Sequence, residues 1–197
     1  AAQTHKNAKL KDAEESKDTK KKEASQTMSL SDKGADALKQ YEKIVMKDGK
    51  AVMYDNDGSK NGNATIGYGH MIHTGKIDGS ASETPYKNGI STEEATKLFK
   101  ADAKSIVDAV NGMLKVGVSQ QQFDALVSLA FNIGPGKAGG KNGLINSDVM
   151  KKLNSGDPKG AAEAFKTHNK DAGTGKAVQG LTNRRAKEVD MFLNGVY

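Results

Sequence analysis

No cysteine occurs anywhere in the 197 residues, which excludes disulfides, thiolate nucleophiles and any zinc site built on cysteine. The same absence suits either redox compartment, so it does not locate the protein. Tryptophan is missing too, and aromatic residues make up only 5%, so the stacking platforms of single-strand nucleic-acid binders are not evident. There is no run of about 18 or more apolar residues and no charged-then-apolar N-terminal pattern, so neither a membrane span nor a signal peptide is read. If the protein acts outside the cytoplasm, something else must carry it there. What the chain does have is charge: 30 Lys+Arg against 24 Asp+Glu give a formal +6. A field of that sign favours polyanions such as nucleic acid, teichoic polymers or anionic lipid without defining a site, and it is equally a solvated, soluble surface.

The length suits one compact domain, with room for two lobes and a tail. Residues 1–27 hold twelve charged side chains, from Lys6 to Glu23, and Leu10 is their only large apolar residue. Such a stretch cannot bury enough surface to offset its ordering entropy, so 1–27 reads as a charged linker or tail and 28–197 as the folded domain. The change of composition at Met28-Ser29-Leu30 suggests attachment to a larger polypeptide.

Ser31 is a candidate N-cap for a helix running to about Lys47, stopped by Asp48-Gly49. Its apolar stripe is Leu38, Tyr41 and Val45 at i, i+3 and i+7, and the i+4 place is taken by Glu42. A carboxylate thus stands where periodicity expects a hydrophobe. Lys50–Tyr54 and Ala64–Tyr68 read as two short strands joined by the polar loop Asp55–Asn63, and His73–Gly89 as irregular. Ser91 with Glu94, and Ser119 with Gln122, make capping boxes that open helices. The first runs to about Lys115; the second, with Phe123, Leu126, Val127 and Phe131, is the most hydrophobic segment available. Further helices are expected near Ser147–Ser155, from Pro158 to about Lys166, where proline suits the first turn, and from Asn183 to Leu193.

Five pieces in order carry the resemblance: Glu42; Asp55-Asn56-Asp57-Gly58; Asn63-Ala64-Thr65-Ile66-Gly67-Tyr68-Gly69-His70; Phe131-Asn132-Ile133-Gly134; and Gly180 to Glu188 with Arg184 and Arg185 at its centre. Together they resemble the phage-type lysozymes, the muramidases of glycoside hydrolase family 24, from about Ser31 to Tyr197. The resemblance implies an α+β, mostly helical, lysozyme-like fold, whose β-hairpin lobe and larger helical lobe enclose a saccharide groove. Glu42 and Thr65 stand several positions further apart than is usual in that family, so the segment between them carries extra residues.

Cleaving a glycosidic bond needs a proton donor for the leaving oxygen and a second group across the sugar that stabilises charge or activates water. Glu42 is the candidate donor, because a core-facing position desolvates a carboxyl and keeps part of it protonated; the structural alternative is a glutamate paired with an arginine. Asp55, with Asp57 as its alternative, is the candidate second carboxylate. Both sit an even number of places from alignment with Thr65, so periodicity does not choose. Asp55 begins an Asp-x-x-Gly pattern that resembles the family's. Thr65 looks like the family threonine that helps hold the attacking water, although a strand threonine is also simply a good β-former. The resemblance makes Tyr68 and His70 parts of the active-site framework and Asn132 a groove-lining residue. Arg184 and Arg185 are expected to brace the C-terminal helix. His5, His70, His73 and His168 show no ligand-like spacing, so no metal and no cofactor is expected.

By resemblance the reaction is inverting hydrolysis of the β-1,4 bond between N-acetylmuramic acid and N-acetylglucosamine in peptidoglycan, performed by a monomeric domain at the bacterial cell wall, in the periplasm of a host or target cell. Peptidoglycan is the expected partner, with no nucleic acid and no stable membrane insertion. The alternatives are a lytic transglycosylase and a non-catalytic wall-binding module of the same fold. A phage endolysin, a tail-spike lysozyme and a secreted effector domain all fit this pattern.

Overall fold

The computed structural model describes residues 27–56 and 62–197, so the tail reading of 1–27, apart from Thr27, and the alternative aspartate, Asp57, lie outside the described residues. The chain falls into two compact units, one of residues 32–105 and one that combines 106–197 with the stretch ending at Ser31.

The first unit begins with α1, Asp32–Lys39, much shorter than the helix to Lys47 that the apolar stripe predicts. Two tight bonds, Tyr41 N–H to Leu38 O and Glu42 N–H to Lys39 O, close the helix with i to i−3 spacing, and beyond it Val45 O accepts from Val52 N–H at 2.9 Å. Glu42 therefore lies in the turn after α1, and its place on a helical stripe is corrected. Asp48-Gly49 turns a hairpin instead of merely stopping a helix: both have positive φ, 50° and 76°, as a two-residue Asp-Gly hairpin turn requires. It joins β1, Met46–Lys47, to β2, Lys50–Ala51. The expected strand Lys50–Tyr54 is thus broken at Val52-Met53. Its far end becomes β3, Tyr54–Asp55, which pairs with β4, Ala64–Ile66, and β4 pairs with β5, His70–His73, in a three-stranded antiparallel sheet of order β3-β4-β5. A 3-10 helix, Ala81–Tyr86, follows within the tract expected to be irregular. The core of this unit is Ala51, Ile66, Ile90 and Ala95, flanked by Ile44, Met53, Tyr68, Ile72, Tyr86 and Leu98.

Helix α2, Thr92–Met113, has residues in both units. The Ser91/Glu94 capping box forms in both directions, Ser91 N–H to Glu94 Oε2 at 2.8 Å and Glu94 N–H to Ser91 Oγ at 3.1 Å.

In the second unit the Ser119/Gln122 box opens α3, Gln120–Ile133, in which Phe123 through Ala130 are all buried. Its hydrophobic run becomes the centre of the unit. Around it lie a short 3-10 turn, Leu144–Asn146, and helices α4, Asp148–Asn154, α5, Pro158–Phe165, and α6, Gln179–Asn194. Ser147 caps α4 by accepting from Met150 N–H, and Asp157 caps α5 by accepting from Gly160 N–H, with Pro158 in the first turn as expected. Phe165 and Phe192 pack with centroids 5.4 Å apart. Among the described residues no helix is long and apolar enough to cross a membrane.

Two polar residues, Asp124 and Ser128, interrupt the buried run of α3. Asp124, 1% exposed, accepts from the Ser31 amide at 3.1 Å, the Ser31 hydroxyl, Gln120 Nε2 at 2.9 Å and the Tyr197 hydroxyl at 2.6 Å. A buried carboxylate is tolerable only when so satisfied. Burial, and the bond to Asp124, push the Tyr197 phenol up to about 12. An unfolded tyrosine ionises near 10, so this stabilisation is fully present below about pH 10 and lost as pH rises towards about 12. Urea unfolding across that window should show Tyr197→Phe losing less stability than the native chain; equal losses would disconnect Tyr197 from the alkaline transition.

Candidate active site

Five of the six described site candidates, Glu42, Asp55, Thr65, Tyr68 and His70, lie in the 32–105 unit, and Asn132 lies in the other. The turn between β4 and β5 organises the five. Gly67 and Gly69 have φ of 61° and 87°, a backbone that residues with a Cβ rarely adopt. A Cβ on Gly67 would stand 3.2 Å from the Ala95 Cβ, and one on Gly69 would stand 3.3 Å from Glu42 Oε2. The Glu42 carboxylate therefore lies against bare backbone, at a spot that a side chain would crowd.

Tyr54 is the residue that sequence reasoning passed over, placing it only as the end of a strand. It stands directly across from Thr65, its hydroxyl donates to Lys43 O at 3.1 Å, and burial, then the nearby Glu42 charge, raise its pKa while the Gly69 backbone partly offsets them. It is thus the common neighbour of Glu42 and Thr65. An aromatic in a pleated position next to a candidate carboxylate was the available signal.

Thr65 is 1% exposed, and its hydroxyl donates to Asn63 O at 2.8 Å. With the proton committed, that oxygen can only accept from a further partner. The register also corrects the even-spacing argument for the aspartate. Tyr54 pairs with Thr65 and Asp55 with Ala64, so the Asp55 side chain leaves the sheet on the face opposite Thr65. Asp55 Oδ1 accepts from Ile77 N–H at 2.9 Å, holding the loop that follows β5.

Tyr68 packs edge-on against Phe99, centroids 6.1 Å apart, with Lys39 Nζ 5.1 Å from its ring centre. His70 Nδ1 lies 2.9 Å from Asp102 Oδ2, and its ring is 6.2 Å from that of Tyr86. Both rings are therefore held by α2 and the 3-10 segment.

In the second unit Asn132 is exposed, and its Oδ1 accepts from Arg185 Nη1 at 2.8 Å. It borders a cavity of about 760 Å³ with His168, Lys141, Lys170 and Asp171 in the wall. Burial, then the Arg185 charge, hold the His168 pKa below its usual value. The two arginines brace α6 as expected. Arg184 donates to Ser128 O at 2.9 Å and to Glu188 Oε1 at 3.2 Å, while Arg185 reaches His168 O at 3.1 Å and Glu188 Oε1 at 3.0 Å. Glu188 also accepts from Ser128 Oγ at 2.7 Å, so the buried carboxylate is surrounded by donors.

A small antiparallel sheet, a glycine turn that cradles a carboxylate, and a helical unit built round one buried helix define a lysozyme-like fold. Comparison with known proteins gives the family. The phage lysozyme family model matches residues 49–188, and the chain belongs to that family. It is 36% identical over 168 residues to an endolysin of Bacillus phage PZA, covering 85% of this chain and 56% of that protein. It is also 36% identical over 130 residues to the endolysin of Salmonella phage P22, covering 66% and 80%. The chain thus spans just over half the length of the Bacillus phage relative. Among solved structures, an endolysin from Escherichia coli O157:H7 phage FAHEc1 aligns with TM-score 0.65 and 34% identity over 87% of this chain and 98% of that one. The muramidase domain of SpmX from Asticaccaulis excentricus aligns with TM-score 0.62 and 29% identity over 84% and 97%.

The Gly67 contact has a measurable cost. Gly67→Ala places a Cβ on a left-handed backbone and 3.2 Å from a fully buried alanine, which should destabilise by roughly 1–2 kcal/mol in urea unfolding. A change within a few tenths would mean that the turn relaxes freely.

Proposed function

We propose that the protein is a peptidoglycan hydrolase, a muramidase that cuts the β-1,4 bond between N-acetylmuramic acid and N-acetylglucosamine without a cofactor and acts at the bacterial cell wall. The observation that carries this reading is the Glu42 carboxylate lying against the Gly69 backbone, in a chain of the phage lysozyme family. Glu42 donates the proton to the leaving oxygen. Thr65, whose hydroxyl proton is given to Asn63 O, accepts from the attacking water and so turns a lone pair of that water towards the sugar. A hairpin carboxylate, Asp55 or else Asp57, takes the proton of that water, and direct attack by one water inverts the anomeric carbon. Tyr68 and His70 are saccharide contacts of the 32–105 unit and Asn132 is a saccharide contact of the other unit, each taken by itself, and the net positive charge favours approach to an anionic wall.

Lysis of purified peptidoglycan, followed by turbidity, tests the donor. Glu42→Gln keeps nearly the same shape and removes the titrating proton, so activity should fall by roughly two or more orders of magnitude. Near-normal lysis by this variant ends the assignment, and no lysis by the native chain favours the wall-binding module.

One observation favours a second reading. The Asp55 side chain faces away from Thr65 and accepts from Ile77 N–H, whereas a lytic transglycosylase, in which the 6-hydroxyl of the sugar replaces water, needs no hairpin aspartate. Under the hydrolase reading, Asp55→Asn nearly abolishing turnover while Asp57→Asn costs less than about tenfold, roughly 1.4 kcal/mol, would make Asp55 the base despite the face it occupies. The reverse order makes Asp57 the base. Anhydro-muramic ends in the products, with both variants active, establish the transglycosylase.

A further inference from the structure

The geometry points to a divalent-metal site of the zinc class formed by His73 Nε2, Asp78 Oδ1 and Glu83 Oε1, in the segment between β5 and the 3-10 helix. The sequence expectation of no metal rests on spacings between histidines and leaves carboxylates uncounted. The fold brings one histidine and two carboxylates together, with one ligand atom of each lying within 4.8 Å of the others.

Each donor is already oriented. His73 Nδ1 lies 2.8 Å from the Thr74 carbonyl; a carbonyl only accepts, so Nδ1 carries the hydrogen and Nε2 is the nitrogen turned to the carboxylates. A histidine whose second nitrogen donates to a backbone carbonyl is the usual outer arrangement of a metal ligand. Glu83 is 1% exposed, and its two oxygens are held by the amides of Asp78 at 2.9 Å and Gly79 at 2.8 Å. Asp78 Oδ1 accepts from Ser80 N–H at 2.9 Å. Backbone amides fix both carboxylates, and each carboxylate oxygen retains a further lone pair.

The spacing suits a small tetrahedral ion. Zinc bonds of roughly 2.0–2.2 Å to nitrogen and oxygen place neighbouring ligand atoms about 3.3–3.5 Å apart. Nε2 lies 3.5 Å from Asp78 Oδ1 and 2.8 Å from Glu83 Oε1, so one distance already fits and the other must open by about half an ångström to reach that range. Two carboxylates and one neutral imidazole give a ligand charge that a divalent cation neutralises, and a mixed nitrogen and oxygen set suits zinc or cobalt better than magnesium. The ion takes the place of the Nε2 proton. Three protein ligands leave a fourth position for water.

Such a site ties the loop after β5 to the 3-10 helix. That segment supplies the Ile77 amide to Asp55 and the Tyr86 ring to His70, so metal would hold residues that border the candidate active site.

Isothermal titration of the full chain with zinc chloride, after chelation and in a non-coordinating buffer, tests this independently of any wall activity. One zinc per chain with a micromolar or tighter Kd is expected, together with the intense visible bands of tetrahedral cobalt when Co²⁺ is used instead. His73→Ala should abolish binding. Asp78→Asn, at an exposed position, should weaken it at least tenfold while leaving the metal-free melting temperature within a degree or two of the native value, which separates lost ligation from lost folding. Absence of saturable binding, or binding that survives both substitutions, overturns the site.

Discussion

The backbone of Gly67-Tyr68-Gly69 is the constraint on which the 32–105 unit depends. Both glycines adopt positive φ, and each places bare main chain against a different neighbour, Ala95 on one side and the Glu42 carboxylate on the other. Between them Tyr68 turns onto Phe99, and immediately after them His70 reaches Asp102. A side chain at either glycine would have to displace one of those contacts, so the turn fixes at once how the sheet meets α2 and where the candidate proton donor lies.

The larger helices were legible in the sequence because two independent signals agree on them. Ser91/Glu94 and Ser119/Gln122 mark the starts, and apolar residues at helical spacing mark the buried faces; both boxes close as expected. The small sheet was far less legible. Strands of two residues are too short for alternation to register, so the Asp48-Gly49 turn read as the stop of a helix instead of the hinge of a hairpin, and β5 was missed. In the first unit, a helical stripe through Tyr41, Glu42 and Val45 existed on paper, while the real helix closes at Lys39 and Val45 pairs instead with Val52 through its carbonyl.

The candidate site divides along similar lines. Glu42, Thr65, Tyr68 and His70 could be named because a compact motif and its order along the chain carry them. Tyr54 could not, since its significance lies in standing opposite Thr65, and pairing register is not written in a two-residue strand. Asp55 shows the same limit in reverse: its distance in sequence suits Thr65, and the register turns it to the other face. His73, Asp78 and Glu83 come together through a loop and a 3-10 turn, which leave no periodic trace.

The carboxylate of Asp124 has a topological consequence. Ser31 and Tyr197 are both hydrogen-bonded to that one side chain, so two stretches of backbone far apart in sequence are pinned at a single point. A cut in the exposed Lys170–Lys176 turn would leave the bonds of Ser31 and Tyr197 to Asp124 untouched, so the segments on either side of the cut would stay tied through that carboxylate.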